Sequence, residues 1–171
     1  MTVANEKIDG YNYIDKIKEK EALRDILIDL KQRGKTVSFT NGCFDIIHAG
    51  HVQYLNKAKA EADVLVVAVN SDESIRQIKG DKRPLVPERE RAEVLSALFC
   101  VDYVVIFNET DPFDIISFLS PDILVKGADW GLDDIIGRDI VEERGGKVIR
   151  VELSEGLSTS NIIETILERY K

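Results

Sequence analysis

The run VLVVAVN, from Val64 to Asn70, is apolar at every position but its last. A strand with one face in water alternates apolar with polar residues. An unbroken run of this length instead fits a strand covered on both faces, as in the middle of a parallel sheet. Shorter runs of the same kind recur along the chain. TVSFT (Thr36–Thr40), DYVVIF (Asp102–Phe107), DILVKG (Asp122–Gly127) and KVIRVEL (Lys147–Leu153) each read as a strand.

Helical spacing fills the intervals. EALRDILIDLKQRG places Leu23, Ile26, Leu27 and Leu30 on one stripe, with Gly34 as the stop. HVQYLNKAKAEA puts Val52, Leu55 and Ala58 on a buried stripe, and SDESIRQI is capped by Ser71 or Asp72. ERERAEVLSAL has Pro87 near its first turn; DPFDIISFLS and IIGRDIVEERGG follow. STSNIIETILERYK closes the chain as an amphipathic helix on Ile162, Ile163, Ile166, Leu167 and Tyr170. Residues 1–20 read as an arm or first helix outside the core. The expected organisation is an arm and helix over 1–34, packed on a domain spanning 35–171.

Strands alternating with helices predict an α/β fold, a five-stranded parallel sheet with helices on both faces. Ligands of such sheets sit beyond the carboxyl ends of the strands. The chemically interesting residues of this chain do follow its strands: Gly42 to Gly50, Asn70 and Ser71, Gly127 to Trp130, and Ser154 to Ser160.

Both histidines of the protein, His48 and His51, fall in the first of these loops, FTNGCFDIIHAGH. Gly42 and Gly50 allow close backbone approach to a ligand. The helix that starts near Gly50 offers free N–H groups and partial positive charge, which suit a phosphate. Imidazoles there can donate to phosphate oxygens. Two other readings stand beside this one: half a metal site with Asp45 or Cys43, or histidines that only satisfy loop backbone. Metal ligands usually come in threes or fours, and the chain has no third histidine.

Charge and composition narrow the rest. A formal charge of −8, from 31 acids against 23 bases, argues against a general nucleic-acid grip. No window reaches the roughly 18 apolar residues that cross a bilayer, and the amino-terminal stretch lacks the apolar core of a secretory signal. A cytoplasmic protein without membrane contact is expected. Cys43 and Cys100 do not make a disulfide scaffold. Within this acidic chain KGDKRP gathers Lys79, Lys82 and Arg83, either as a solvated loop or as a flap over a bound triphosphate.

GCFDIIHAGH closely resembles the signature of the cytidylyltransferase-like nucleotidyltransferases, a glycine–x–phenylalanine–aspartate opening followed by HxGH. NSDESIRQIKG, PERERAEVL, KGADW and EGLSTSNII agree with further blocks of that family in order, from about Thr36 to Tyr170. The resemblance implies a Rossmann-like nucleotidyltransferase fold. It implies that His48 and His51 contact the nucleotide's phosphates, with Gly42, Cys43, Phe44 and Gly50 in the phosphate-binding loop. It gives the mobile lysine to Lys79, with Lys82 in play, and a helix arginine to Arg91, with Arg89 as the other match. Gly127, Asp129 and Trp130 would meet the nucleotide by close approach, hydrogen bonding and stacking. Ser158, Thr159 and Ser160 would contact it from a helix start, or would merely cap that helix.

Where glycerol-3-phosphate cytidylyltransferases open the last block with arginine, this chain has Leu153. SFTNGCFDIIHAGH, VKGADW and IIGRDIVEERGGKVIRV look instead like the heptose-1-phosphate adenylyltransferases, which often accompany a sugar kinase in one bifunctional protein. At 171 residues the chain has no room for that kinase, so a stand-alone transferase is expected. ATP with Mg²⁺ and D-glycero-D-manno-heptose 1-phosphate are the implied partners, and a dimer or larger assembly is implied, for which the apolar positions from Phe99 to Val105 offer an interface. The rival readings are a cytidylyltransferase acting on glycerol phosphate or another polyol phosphate, and a non-catalytic nucleotide-binding module.

Overall fold

The computed structural model describes residues 12–152 and 158–170. Five strands form one sheet: β1 (Val37–Gly42), β2 (Val64–Asn70), β3 (Tyr103–Phe107), β4 (Ile123–Gly127) and β5 (Lys147–Val151). All four pairings are parallel, in the order β3-β2-β1-β4-β5. The helices are α1 (Lys20–Gln32), α2 (Ala49–Ala60), α3 (Asp72–Lys79), α4 (Glu88–Ser96), α5 (Phe113–Leu119), α6 (Arg138–Glu143) and α7 (Thr159–Arg169).

The reason β2 is apolar throughout is now visible. Val64, Val66 and Ala68 join one core with Leu23 and Leu27 of α1, Ile115, Ile116 and Leu119 of α5, and Val141 of α6. Leu65, Val67 and Val69 point the other way, into a second core with Tyr54, Leu55 and Ala58 of α2 and Ala92 and Leu95 of α4. Successive side chains leave opposite faces of a strand, so an interior strand such as β2, covered by helices on both faces, is apolar from Val64 to Val69.

The edge of the sheet where the strands begin is pinned by three aspartates. Asp63 accepts the N–H of Thr36 at 2.9 Å, Asp102 that of Leu65 at 2.7 Å, and Asp122 that of Val37 at 2.8 Å. Each sits just before one strand and satisfies backbone at the start of a neighbour. Hydrogen bonds from the backbone N–H of Thr36, from Lys35 and from the Thr36 hydroxyl hold the Asp63 carboxyl down to about 2.

Several boundaries and one burial pattern differ from the sequence reading. The stretch before α1 is tied to the sheet: Ile17 bridges Val104 in parallel, and Lys16 Nζ donates to the carbonyls of Leu98 and Val101. The helix α2 starts at Ala49, and its buried stripe is Tyr54, Leu55 and Ala58, with Val52 half-buried at its margin. The apolar stripe expected on α7 is not covered: Ile162 and Ile163 are half-buried, while Ile166, Leu167 and Tyr170 are exposed. Leu153 and residues 154–157 of the last loop lie outside the described residues.

From β1 the chain moves outward through β2 to β3, then returns to the far side of β1 for β4 and β5. The connections thus leave β1 and β4 in opposite directions. A crevice opens between their carboxyl ends, where parallel sheets take their ligands.

Candidate active site

β1 runs into the histidine loop, and the loop is tight. Phe44 adopts a positive φ of 46°, an unusual conformation for an aromatic residue and one that stores strain. A Cβ on Gly42 would come within 3.1 Å of the Phe44 ring. Glycine there lets the ring fold back, and that ring meets His51 edge-on at 5.3 Å between centroids. His48 occupies the N-cap of α2 without making a side-chain cap bond; its carbonyl instead accepts the His51 N–H at 2.9 Å.

The two imidazoles lie against each other, ring centroids 3.9 Å apart and tilted by 31°. The Nδ1 atoms of both are buried and have no hydrogen-bond partner among the described residues. Burial lowers the His48 pKa. It pushes His51 down to about 4, with help from the neighbouring His48 and Lys79 charges. Burial, and for His51 the neighbouring positive charges, therefore disfavour the protonated form of both rings. An anion placed among them would reverse that preference.

A cavity of about 540 Å³ covers this edge of the sheet, a size that suits a nucleotide. The histidine loop contributes Gly42, Cys43, Phe44, His48, Gly50 and His51 to its wall. Lys79 reaches it from the end of α3, and Gly127, Asp129 and Trp130 from the turn after β4. Ser158, Thr159 and Ser160 close it from the start of α7. Ser158 is also a plain cap, its Oγ accepting the Asn161 N–H at 3.1 Å, while Thr159 Oγ1 donates to the Ile46 carbonyl at 3.4 Å. Capping and lining the cavity are thus both true of this helix start.

Two registers left open by the sequence separate here. Lys79 lines the cavity and Lys82 does not. Neither arginine of the 89/91 pair lines it. Arg89 is exposed on the outer face, and Arg91 is only 1% exposed. Arg91 donates to the carbonyls of Cys43, Asn70 and Val86 at 2.5, 2.8 and 2.9 Å, and pairs with Asp72 at 2.9 Å. Its place is under the site, holding the histidine loop to β2 and to the segment ahead of α4. The pairing of Cys43 or Asp45 with the histidines around a metal does not fit either. Asp45 is fully engaged by Arg83 and by the amides of Leu85 and Val86.

Sequence reasoning passed over Lys126, the residue before Gly127 on β4. It is 9% exposed, lines the cavity, and donates to Asn41 Oδ1. Its ammonium lies 5.9 Å from the Trp130 ring centroid. Burial lowers its pKa to about 8. A lone lysine inside an otherwise apolar strand was the available signal. Tyr54 was passed over too: its hydroxyl, bonded to Thr40 and the Val125 carbonyl, ties α2 across β1 to β4 beneath the cavity. Thr110 and Asp111, ahead of α5, add a further wall.

A parallel sheet in this strand order, with a histidine pair at a helix start and lysines around a cavity at its switch point, defines a nucleotide-binding α/β protein of the nucleotidyltransferase class. The chain belongs to the cytidylyltransferase-like family, which it matches over residues 39–165. It is 54% identical over 159 residues to the bifunctional protein HldE of Syntrophotalea carbinolica, an alignment that covers 93% of this chain and 32% of that protein. The chain spans about a third of the length of the curated relatives it matches. Among solved structures, the lipopolysaccharide core biosynthesis protein of Thermoplasma volcanium superposes with a TM-score of 0.58 at 30% identity, over 71% of this chain and 98% of that one. The pantoate–β-alanine ligase of Francisella tularensis, at 15% identity and a TM-score of 0.54, covers 89% of this chain and 78% of its own, and shares the fold alone. No helix among the described residues is long and apolar enough to cross a membrane.

Proposed function

We propose that this chain transfers the adenylyl group of ATP to D-glycero-D-manno-heptose 1-phosphate, releasing pyrophosphate and forming ADP-heptose. The observation that carries the reading is the close pair of imidazoles, His48 and His51, at the start of α2, on the wall of a nucleotide-sized cavity. The heptose substrate rests on the resemblance of VKGADW and IIGRDIVEERGGKVIRV to the heptose adenylyltransferases. The HldE relatives and the lipopolysaccharide-biosynthesis neighbour point the same way.

The chemistry asks for no covalent intermediate. A phosphate oxygen of the sugar phosphate attacks the α-phosphorus of ATP. One P–O bond forms, the bond to the bridging α–β oxygen breaks, and pyrophosphate leaves opposite the attacking oxygen. The nucleophile is already anionic, so the protein's task is alignment and charge stabilisation. His48 and His51 would hold oxygens of the α-phosphate together with the free N–H groups of α2. Lys79 would follow the charge that builds on the leaving pyrophosphate. Trp130 would stack on a flat group such as the base.

Mg²⁺ belongs to the reading as a passenger on the triphosphate. Among the described residues no three His, Cys, Asp or Glu side chains gather as a ligand group, and the carboxylates lining the cavity are Asp111 and Asp129. That donor set fits an ion held mainly by substrate phosphates and water, with one or two carboxylates. Bound there, it would neutralise phosphate charge. A cytoplasmic setting, and a homodimer through the wholly exposed Phe99, complete the proposal.

The experiment is a turnover panel: ATP, CTP and GTP, each with heptose 1-phosphate, glycerol 3-phosphate and other polyol phosphates, followed by pyrophosphate release. ATP with heptose 1-phosphate should exceed every other pair by at least tenfold. Preference for CTP with a polyol phosphate would replace the proposal by a cytidylyltransferase, and release with no pair would leave a binding module.

A further inference from the structure

Two cationic side chains are buried among the described residues, Arg91 and Lys126. Arg91 is accounted for by Asp72 and three carbonyls. Lys126 is not. It forms no ion pair among the described residues, and its one hydrogen-bond partner there is the neutral Asn41. An ammonium carries three donors, and burying one without a counter-charge is costly. Such a group persists where an arriving anion completes it, and Lys126 opens onto the cavity.

Its position in the sheet says which anion. The histidine loop follows β1. Lys79 ends α3, which leaves β2 on one side of β1, whereas Lys126 stands on β4, on the other side. An in-line displacement at a phosphorus held over β1 needs its leaving group and its nucleophile on opposite sides. With Lys79 on the pyrophosphate side, the β4 side falls to the attacking group. Resting on the transferase reading above, we propose that Lys126 binds the phosphate monoester of the acceptor and that Asn41 aims it. Lys126 is then a substrate-binding residue and Asn41 a positioning residue, roles the sequence blocks did not suggest.

The test separates this from the choice of sugar. Inorganic phosphate is titrated into protein saturated with α,β-methylene ATP, for the native chain and for Lys126→Gln, with Lys126→Met as a second variant that fills the same space. A charge-assisted bond to an anion corresponds to a change of roughly 10- to 100-fold. Phosphate affinity should fall by that factor in both variants, while affinity for the nucleotide changes less than about twofold. With a sugar phosphate that turns over, the acceptor KM should rise by the same factor, and Lys126→Arg should recover part of it. Asn41→Ala should raise the acceptor KM without weakening the nucleotide. Phosphate binding that is equal in native and variant proteins, or absent from the native complex, overturns the assignment. So does a loss confined to the nucleotide. If no acceptor turns over, the transferase reading fails on its own, and the phosphate titration still decides what Lys126 binds.

Discussion

Arg83 Nε meets Asp45 Oδ2 at 2.5 Å, joining the histidine loop to the basic loop 38 residues further along the chain. The other oxygen of Asp45 accepts the N–H groups of Leu85 and Val86, both at 2.9 Å. One carboxylate, its side chain 1% exposed, thereby fixes the segment after Lys79 against the loop that carries both histidines. Asp45→Ala would leave a guanidinium and two amides without their acceptor. Removing one partner of a buried pair costs about 3–5 kcal/mol, and urea unfolding should show a loss of that size. Asp45→Asn keeps an oxygen for the amides but loses the ion pair and the Arg83 hydrogen bond, so it should fall between the native protein and Asp45→Ala.

His48 and His51 should behave differently from Asp45, because neither makes a hydrogen bond through its buried Nδ1 and His48 makes no side-chain cap bond. Replacing either by alanine removes no hydrogen bond of Nδ1 among the described residues. Unfolding free energy should stay within about 1 kcal/mol of native. Turnover should not: losing one donor to the charge of the transition state typically costs about 100- to 1000-fold. Pyrophosphate release beside a urea titration checks both halves. A variant with native turnover would remove the histidines from the chemistry.

How far the sequence could be read follows from which interactions are local. The strands were legible because β2 must be apolar on both faces, and the histidine loop because His48 and His51 are three residues apart. The strand-starting aspartates were also in plain sight, in the pairs Asp63-Val64, Asp102-Tyr103 and Asp122-Ile123, yet their partners lie on other strands. Arg91 shows the limit best. It stands on a helix after the basic loop and reads as a ligand contact, but four acceptors from three segments, the histidine loop, the β2–α3 junction and the stretch ahead of α4, enclose it. Only the assembled fold brings those acceptors together. Lys126 was hidden for the opposite reason, since a lysine inside a strand looks like a misplaced surface charge until β1 supplies Asn41. On α7 the periodicity was real and the covering absent, because helical spacing records a face and not what lies against it.

Acid should weaken the free protein in two windows. His51 titrates near 4 in the fold, below the ordinary value of 6.5, because burial and the charges of His48 and Lys79 oppose its protonation. Between those values the unfolded chain binds more protons than the folded one, so stability falls as pH drops from 6.5 toward 4. Asp63, lowered from 3.8 to about 2 by its bonds to Thr36 and Lys35, continues the loss as pH falls through that lower range. Thermal melts from pH 7 to pH 3 should show a declining melting temperature, with the upper part of the decline flattened in His51→Ala. A bound triphosphate should oppose the first window by raising the His51 pKa. Nucleotide binding at pH 5.5 should then take up protons, measured as a buffer-dependent heat in calorimetry and reduced in the same variant.

The two-sided burial of β2 yields a prediction that a one-sided sheet would fail. Val66 belongs to the core under α1 and α5, and Val67 to the core under α2 and α4, yet both are fully enclosed. Threonine matches valine in shape with a hydroxyl in place of one methyl, so Val→Thr tests desolvation at nearly constant volume. A hydroxyl buried without a partner costs about 1–3 kcal/mol. Had one face of β2 met water, one substitution would cost that much and its neighbour almost nothing. With helices on both faces, Val66→Thr and Val67→Thr should each destabilise by about that amount. The two should also combine nearly additively, since their side chains enter separate cores and share no packing partner within either. Urea midpoints of the two single variants and the double variant give the comparison, and a near-neutral effect at either position would mean that its face is not sealed.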